Sequence, residues 1–322
     1  MTVPSMLKRT PVLLLAFCGL AGCDDAPPPE SDDPVLPAGA EARSLLGETF
    51  FPPPLPANLD STRTEDLEVA TSELAVDPDD PELWIWVGRR EAYLGRYRAA
   101  IATFTDGLER FPDDARFLRH RGHRWITVRE FDRAVEDLST GTEWVRGQPD
   151  EIEPDGLPNP LGIPLSTLQF NLWYHLGLAH YLRGDWEAAR PAWESCLDVS
   201  TNPDLQVATR YWLYLTLRRL GEDDEAQALL EDLPTSEEII ENEAYHRLLL
   251  HFRGDLSEEE VTGGEEPGSL TGTTMAYGIG IGYVLEGRED EAMAVFQRIL
   301  EAPDQWPAFG YVAAEAEVAR TL

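Results

Sequence analysis

An all-α protein, built as a solenoid of stacked helix pairs, is the fold class that the sequence predicts. Pro78 and Pro112 lie 34 residues apart, and Gly221, Gly254 and Gly287 follow one another at intervals of 33. Most of these glycines are flanked by stretches in which apolar residues recur three and four positions apart, the pattern of a helix with one buried face. A repeat of this length is typical of solenoids built from helix–turn–helix units.

Residues 80–112 show how one unit is built. Asp80 can cap the first helix with Pro81 as its first residue, because proline lacks only an amide that would be unpaired there. Gly95 ends this helix, since glycine adopts a left-handed conformation without steric cost. Pro112 ends the second helix. The apolar faces are predicted to contain Trp84, Val87 and Gly88 in the first helix and Tyr97, Ala100, Phe104 and Leu108 in the second.

These residues resemble the tetratricopeptide repeat, whose pattern places Trp, Leu-Gly and Tyr on the first helix and Ala, Phe and Pro on the second. The resemblance covers about residues 65–322 and implies a right-handed α-solenoid. In the copy around Gly254, Glu259 stands where the small alanine belongs, so its second helix is expected to be incomplete. The best-matching unit contains Trp173, Leu176, Gly177, Ala179, Tyr181, Gly184, Trp186, Ala189 and Trp193, and weaker copies contain Gly221, Ala226 and Leu230, then Gly280, Tyr283, Gly287, Ala292 and Phe296.

The N-terminal signal pattern and the segments rich in proline and glycine divide the chain into five predicted parts. The predicted parts are a signal peptide (1–22), a Pro/Asp/Glu-rich tether (23–60), a half unit with two repeats (61–146), an insert loop (147–164) and C-terminal repeats with a capping helix (165–322). End units of a solenoid need a polar outer face. Glu315, Glu317 and Arg320 are predicted to form that face on the last helix.

The N-terminus has the pattern of a secretory signal, with Lys8 and Arg9 before an apolar stretch too short to span a bilayer. Residues 20–23, Leu-Ala-Gly-Cys, resemble the lipobox of bacterial lipoproteins. This resemblance implies cleavage before Cys23, acylation of that cysteine with chains such as palmitate, and a location on the extracytoplasmic face of a bacterial cell envelope. The choice between inner and outer membrane stays open. The alternative is an ordinary cleaved signal with an incidental cysteine.

Charge excludes one class of partner. The chain contains 59 acidic and 26 basic residues, a net charge of −33. Such a field repels phosphate backbones, so nucleic-acid binding is disfavoured.

Prolines keep the predicted tether from forming a continuous helix. Its apolar residues Phe50 and Phe51 are expected to dock on the first helices instead of remaining in water.

The sequence predicts neither catalysis, cofactor nor metal. The six histidines form three pairs, His120 with His123, His175 with His180, and His246 with His251, but no cysteine or acidic cluster completes a metal site. Residues 277–282, Tyr-Gly-Ile-Gly-Ile-Gly, suggest a phosphate loop, yet the repeat places them inside a helix. An enzyme on a closed helical ring is a further alternative. Six or fewer units, interrupted twice, are not expected to close one.

The leading functional hypothesis is a membrane-anchored adaptor that binds a protein or peptide partner. In the family, ligands usually lie on the concave surface formed by the first helices. Arginine and tyrosine there would suit an extended peptide carrying carboxylates; the alternative is that they are solvated or pack between units. A second hypothesis is a small-molecule or glycan receptor of the cell envelope, accessory to an enzyme, that uses aromatic residues near the insert, Tyr174 and Tyr181. The residues assigned to the partner-binding surface are Arg89, Tyr93, Arg116, Arg119, His123, Asn171, Tyr174, Tyr181, Tyr211, Arg218 and Arg219.

Overall fold

The computed structural model describes residues 36–322, so the predicted leader, Cys23 and the first part of the tether lie outside the described residues. Within this range the regular structure is helical apart from one short hairpin and an isolated bridge between Ile152 and Thr167, and the predicted all-α class is confirmed. No helix among these residues combines the length and apolar character needed to cross a membrane. The helices are α1 (Ala57–Val76), α2 (Pro81–Tyr93), α3 (Tyr97–Arg110), α4 (Ala115–Thr127), α5 (Phe131–Trp144), α6 (Leu168–Arg183), α7 (Trp186–Asp198), α8 (Pro203–Leu220), α9 (Asp223–Ala228), α10 (Glu243–Arg253), α11 (Glu258–Thr262), α12 (Leu270–Leu285), α13 (Glu289–Leu300) and α14 (Phe309–Arg320).

The helices pack as consecutive antiparallel pairs, from α2 with α3 to α12 with α13, and α1 packs on α2. Each first helix also contacts the first helix of the next pair. The side chain of Asp80 accepts a hydrogen bond from the Glu82 amide, and Gly95 has the left-handed φ of +72° that the sequence predicted. The pairs therefore begin and end where the local signals place them.

Two second helices are short. The unit at Gly254 has only the five-residue α11, consistent with the expected incomplete helix, and Glu259 within it is exposed. The six-residue α9 is a difference from expectation, since Ala226 and Leu230 predicted a longer second helix. Both residues are buried, but the chain leaves the helix after Ala228. The repeat pattern therefore predicts the buried positions there better than the helix length.

Helix pairs approach closely where the sequence has glycine on the first helix. At Gly177 of α6, an added Cβ would lie 2.5 Å from the indole of Trp193, which is fully buried in α7. A real Cβ cannot occupy that position unless the indole moves. Glycine at this position is therefore required by packing between the paired helices, not by a turn.

Replacing Gly177 with alanine is expected to lower the free energy of unfolding by about 1–3 kcal/mol, because the clash exceeds alanine's better helix propensity. Urea unfolding followed by far-UV circular dichroism measures this change. The matched control is Gly282→Ala in α12, where the new Cβ would meet Phe252 at an ordinary 3.5 Å. That variant should be neutral or more stable by up to about 1 kcal/mol. Equal effects at the two positions would contradict this explanation.

The last helix returns to the early units. Helix α14 packs on α12 and α13 and also contacts α6. Arg129, in the α4–α5 turn, donates from Nη2 to Glu315 Oε2 at 2.7 Å across 186 positions of sequence. Arg219 of α8 and Glu317 form a second pair at 2.5 Å. These long-range pairs are called here the closure of the array, because they join its last helix to earlier units. They do not make a ring of helix pairs, and the expectation that so few units would not close one stays a prediction.

The prediction that the last helix has a polar outer face is wrong for its two glutamates. Glu315 is 1% exposed and Glu317 is 6% exposed. They tolerate burial because arginines from α8 and from the α4–α5 turn pair with them. Arg320, which is partly exposed, pairs with Glu317 and donates to the Leu182 carbonyl of α6.

The N-terminal segment packs against the C-terminal end of the array and adds to this closure. Strands β1 (Ala42–Arg43) and β2 (Thr49–Phe50) form an antiparallel hairpin in which Ala42 faces Phe50. The Phe50 ring stacks on Trp306 at 5.1 Å and meets the edge of Tyr311 at 5.9 Å. Phe50 therefore docks mainly on the C-terminal end of the chain, and Phe51 stays half exposed. We name Phe50, Arg129, Trp306 and Glu315 the end-to-end clasp.

The predicted solvated tether does not extend to residue 60. Residues 40–44 and Phe50 are mostly buried, and Glu41 accepts a hydrogen bond from the Arg98 amide at the start of α3. Helix α1 begins at Ala57, directly after Pro56. The prolines prevent a continuous helix as predicted, but they do not prevent the segment from packing on folded repeats.

Candidate partner-binding surface

The first helices α2, α4, α6, α8, α10 and α12 lie in sequence order, and their shared side is called the first-helix face. The eleven residues assigned to partner binding all belong to α2, α4, α6 or α8. The structure brings seven of them into two groups, each contacted by another part of the same chain, and leaves four outside these groups. Their role in partner binding stays a prediction, and their positions decide which of them a partner can reach.

The insert loop covers the group on α2, α4 and α6. Glu153 of the insert pairs with Arg119 Nη2 at 2.8 Å and accepts a hydrogen bond from Asn171 Nδ2 at 2.7 Å. Arg89 Nη1 donates to the Pro154 carbonyl at 2.8 Å, and Arg89 Nε donates to the Tyr93 hydroxyl at 3.3 Å. Burial raises the pKa of Glu153 and lowers the pKa of Arg119, while their mutual attraction opposes both shifts.

Helix α14 covers the second group. The His123 ring lies 5.3 Å from the Phe309 ring. Arg219 is paired with Glu317, as described, and Tyr181 is fully buried with its hydroxyl 2.9 Å from that of Tyr277. A partner can contact Tyr181 only if the surrounding helices move, whereas His123 also lines the open cavity described below.

The remaining four residues differ in accessibility. Tyr174 and Tyr211 are buried, and Tyr174 accepts a hydrogen bond from Trp212 Nε1 at 2.8 Å. Arg116 and Arg218 are partly exposed and pair with acidic residues near them. Tyr174 and Tyr211 therefore pack between units, which is the alternative that the sequence left open for these residues.

An open cavity of about 340 Å³ remains between the covered groups. Its walls include His123, Tyr245, Leu270 and Phe309, with Asn242 at the start of α10. The cavity lies where the N-terminal ends of α10, α12 and α14 meet the side of α4. Only His123 of this set was assigned from the sequence. Tyr245 and Phe309 were missed because they become neighbours of His123 only when the array closes.

Asp204 holds one rim of this cavity. Its buried carboxylate accepts hydrogen bonds from the backbone amides of Ile240, Glu241 and Asn242, at 2.8–3.2 Å. Three amides converging on one carboxylate order a segment that has no regular helix of its own. The rim is therefore positioned by α8, the helix on which Asp204 is the second residue.

Three histidines from two first helices, His120, His123 and His175, form a cluster, and His123 also lines the cavity. Arg119 Nη1 donates to His120 Nδ1 at 2.9 Å, so the proton of neutral His120 is on Nε2. His175 Nδ1 donates to the Asn171 carbonyl at 2.6 Å, and its ring centroid lies 4.3 Å from that of His123. Burial, with the positive charges of nearby arginines, holds the pKa of all three histidines well below the usual value.

This cluster makes stability depend on pH. In the unfolded chain each histidine titrates near pH 6.5, so below that pH the unfolded chain binds protons that the folded chain does not. The free energy of unfolding therefore falls as the pH drops, with a limiting slope of about 1.4 kcal/mol per pH unit for each histidine. Above that pH both states are neutral and the contribution is complete.

We expect His175→Phe to lose about 1.4 kcal/mol less stability than the wild type when the pH falls from about 7.5 to about 5.5. Urea unfolding at both pH values measures the difference. Burial raises the pKa of Glu91 and Asp137, which acts in the opposite direction as the pH falls. Both proteins share those groups, so the comparison isolates His175. Parallel pH profiles would contradict the assignment.

The other candidate sites in the sequence have structural explanations. Residues 277–282 lie inside α12, as the repeat predicted, and Gly278 contacts Leu248 of α10. Among residues 36–322, no group of three histidine, cysteine, aspartate or glutamate residues is placed to hold a metal ion. Cys196 is buried against Thr209, and burial raises the pKa of its thiol to about 12.

The helix pairs that carry the insert-covered group allow a comparison with known families. Residues 87–138 match the tetratricopeptide repeat family model. The matched tetratricopeptide repeat segment runs from α2 to α5 and includes Arg89, Tyr93, Arg116, Arg119 and His123. The resemblance that the sequence suggested is confirmed for this segment.

Among solved structures, the chain is similar to a tetratricopeptide repeat protein from Parabacteroides merdae, with 14% identity, 77% of this chain and 92% of that chain covered, and a TM-score of 0.48. It is also similar to YrrB, described as a TPR protein with an unusual peptide-binding site, with 15% identity, coverage of 80% and 100%, and a TM-score of 0.41. A thermophilic TPR protein of Thermus thermophilus gives 19% identity, coverage of 76% and 100%, and a TM-score of 0.39. The search of curated proteins found no match.

Proposed function

We propose that this protein is a lipid-anchored, extracytoplasmic scaffold that binds a protein partner on its first-helix face. The observation that carries the proposal is the tetratricopeptide repeat match over residues 87–138, since such repeats generally mediate interactions between proteins. The matched helices contribute five of the eleven residues assigned to binding.

The accessible part of the face favours a partner with an apolar anchor. Leu161 and Ile163 of the insert are 63% and 47% exposed. Asn159 of the same turn donates to the side chain of Glu241, a residue that lines the open cavity. Exposed apolar side chains beside a cavity are a common feature of protein-binding surfaces.

Crosslinked pull-down from membranes tests partner binding. Wild type and Leu161→Asp should be compared, because a charge on the exposed turn would weaken an apolar contact without entering the core. The matched control is Val76→Asp, since Val76 is exposed at the end of α1. We expect a reproducible partner that is retained by the control and lost by Leu161→Asp. The proposal fails if the wild type recovers no reproducible partner while it remains abundant in the membrane fraction.

The anchor part of the proposal rests on the sequence around Cys23. Acyl chains on one residue bind a bilayer by burying CH₂ groups, each worth about 0.8 kcal/mol. Cys23→Ala should therefore abolish labelling with palmitate and shift the protein from the membrane fraction to the soluble fraction. Palmitate labelling that persists in this variant would contradict the assignment of the anchor.

A small-molecule or glycan receptor is a second candidate, favoured by the open cavity. Its volume of about 340 Å³ falls within the roughly 300–1,000 Å³ that ligand pockets occupy. The tyrosine that lines it is Tyr245, whereas Tyr174 and Tyr181, expected from the sequence to line such a site, are buried. A thermal-shift screen should then find a saturable ligand whose effect is abolished by Tyr245→Ala and retained by Tyr283→Ala, outside this cavity.

A further inference from the structure

The insert contacts the first-helix face in the manner of a bound peptide. Residues 151–153 are extended and pair with residues 166–168: the Glu153 amide donates to the Ser166 carbonyl at 3.0 Å, and the Leu168 amide donates to the Glu151 carbonyl at 2.9 Å. From this extended segment, the Glu153 carboxylate reaches Arg119 and Asn171. The segment after it passes over α2, where Arg89 binds the Pro154 carbonyl.

Within the insert, the contact of the Glu153 side chain with Arg119 is largely buried. The Glu153 side chain is 11% exposed and Arg119 is 13% exposed. The apolar side chains of the insert, by contrast, face solvent: Ile152, Leu157 and Leu161 are 63%, 57% and 63% exposed. Few apolar contacts attach the insert. Its attachment depends on the Glu153 carboxylate, on side-chain hydrogen bonds of Asp150 and Asn159, and on a few backbone hydrogen bonds. Segments with so little apolar burial open at low free-energy cost.

The site beneath the insert is incompletely satisfied. Glu153 Oε1 and Arg119 Nε are both buried and have no hydrogen-bond partner. A buried charged group with an unused donor or acceptor is held less tightly than one that is fully paired. A second ligand that presents a carboxylate in better geometry can therefore compete for Arg119.

We propose that residues 151–156 are an internal ligand that occludes a binding site made by Arg89, Arg119 and Asn171, and that the partner of this site is an extended peptide segment carrying a carboxylate. The inference rests on the proposed partner-binding function and names the partner's chemistry. Because the insert is covalently attached, its effective concentration is high, and a free peptide must overcome it to bind.

Binding of a labelled synthetic peptide with the sequence of residues 149–158 tests the proposal by fluorescence anisotropy. Glu153→Ala removes the internal carboxylate, so this variant should bind the peptide at least about ten-fold more tightly than the wild type. A peptide with Gln in place of its glutamates should not bind, and adding Arg119→Ala to the variant should abolish binding. The matched control protein is Glu143→Gln, whose exposed carboxylate lies on α5 outside the internal ligand and which should behave as wild type.

Hydrogen exchange gives a second measurement on the same proteins. In Glu153→Ala the backbone amides at positions 153 and 168 should exchange faster, while those inside α4 and α6 keep their protection, which also shows that the variant folds. The proposal is overturned if the folded variant binds the peptide no better than the wild type, if it binds the Gln peptide equally well, or if the two amides exchange at the wild-type rate.

The membrane pull-down separates this inference from the proposed function. A partner recovered equally by wild type and Glu153→Ala would support the scaffold function and overturn the internal ligand. Absence of any partner from both proteins would count against the scaffold function alone, because the peptide experiment decides the occlusion by itself.

Discussion

Replacing Glu315 with alanine is expected to lower the free energy of unfolding by about 3–5 kcal/mol, because it leaves Arg129 as an uncompensated buried charge. The side chains of this pair are 3% and 1% exposed. Arg129 also donates to the carbonyls of Thr127 and Trp306, so its guanidinium cannot turn to water without breaking the end-to-end clasp. Urea unfolding at neutral pH measures the loss.

The backbone at Arg129 strengthens this expectation. Its φ is +69°, in the turn position that glycine occupies at Gly95, Gly184 and Gly221. A non-glycine residue in this conformation costs of order 1–3 kcal/mol. Arg129→Gly should relieve that strain and still destabilise the protein, since Glu315 then loses its partner. Stability equal to or above the wild type in this variant would show that the ion pair contributes little.

An exposed arginine provides the control for Glu315→Ala. Arg288 pairs with Glu286 and Glu291 at the surface, where water and salt screen the charges. Arg288→Ala should change stability little. If the two variants lose stability equally, the buried clasp has no special role in closing the array.

Replacing Trp306 with alanine should cost a similar amount, about 3–5 kcal/mol, through loss of buried aromatic surface and the cavity that remains. Trp306 is 2% exposed, stacks on Phe50 and meets the edge of Tyr97 at 5.3 Å. Its Nε1 donates to the Phe51 carbonyl at 2.8 Å. One side chain thus joins the N-terminal hairpin, the first repeats and the turn before α14.

Urea unfolding of Trp306→Ala should be compared with Trp144→Ala, since Trp144 is 39% exposed at the end of α5. The control should lose clearly less stability. Trp306→Ala and Glu315→Ala should also be non-additive when combined, because both open the same clasp. Additive losses would indicate that the two residues stabilise separate parts of the chain.

The local elements could be predicted from the sequence because their causes are local. Asp80 before Pro81, Gly95 after the first helix and the apolar period of each helix act within one or two turns. They determined the all-α class, the paired helices and the helical position of residues 277–282. They also placed several binding candidates on first helices, since that assignment needs only the order of the elements.

Closure of the array and occlusion of the first-helix face were decided by tertiary structure. Glu315 and Glu317 follow the pattern of solvated charges, and only arginines distant in sequence make their burial favourable. Glu153 likewise appears as one acid among 59 until the insert brings it onto Arg119. One local signal of the closure was present in the sequence: Arg129 stands at the turn position where other units have glycine. The physical reason for the difference is range: a helix period reports which face is buried, but not which distant segment covers it.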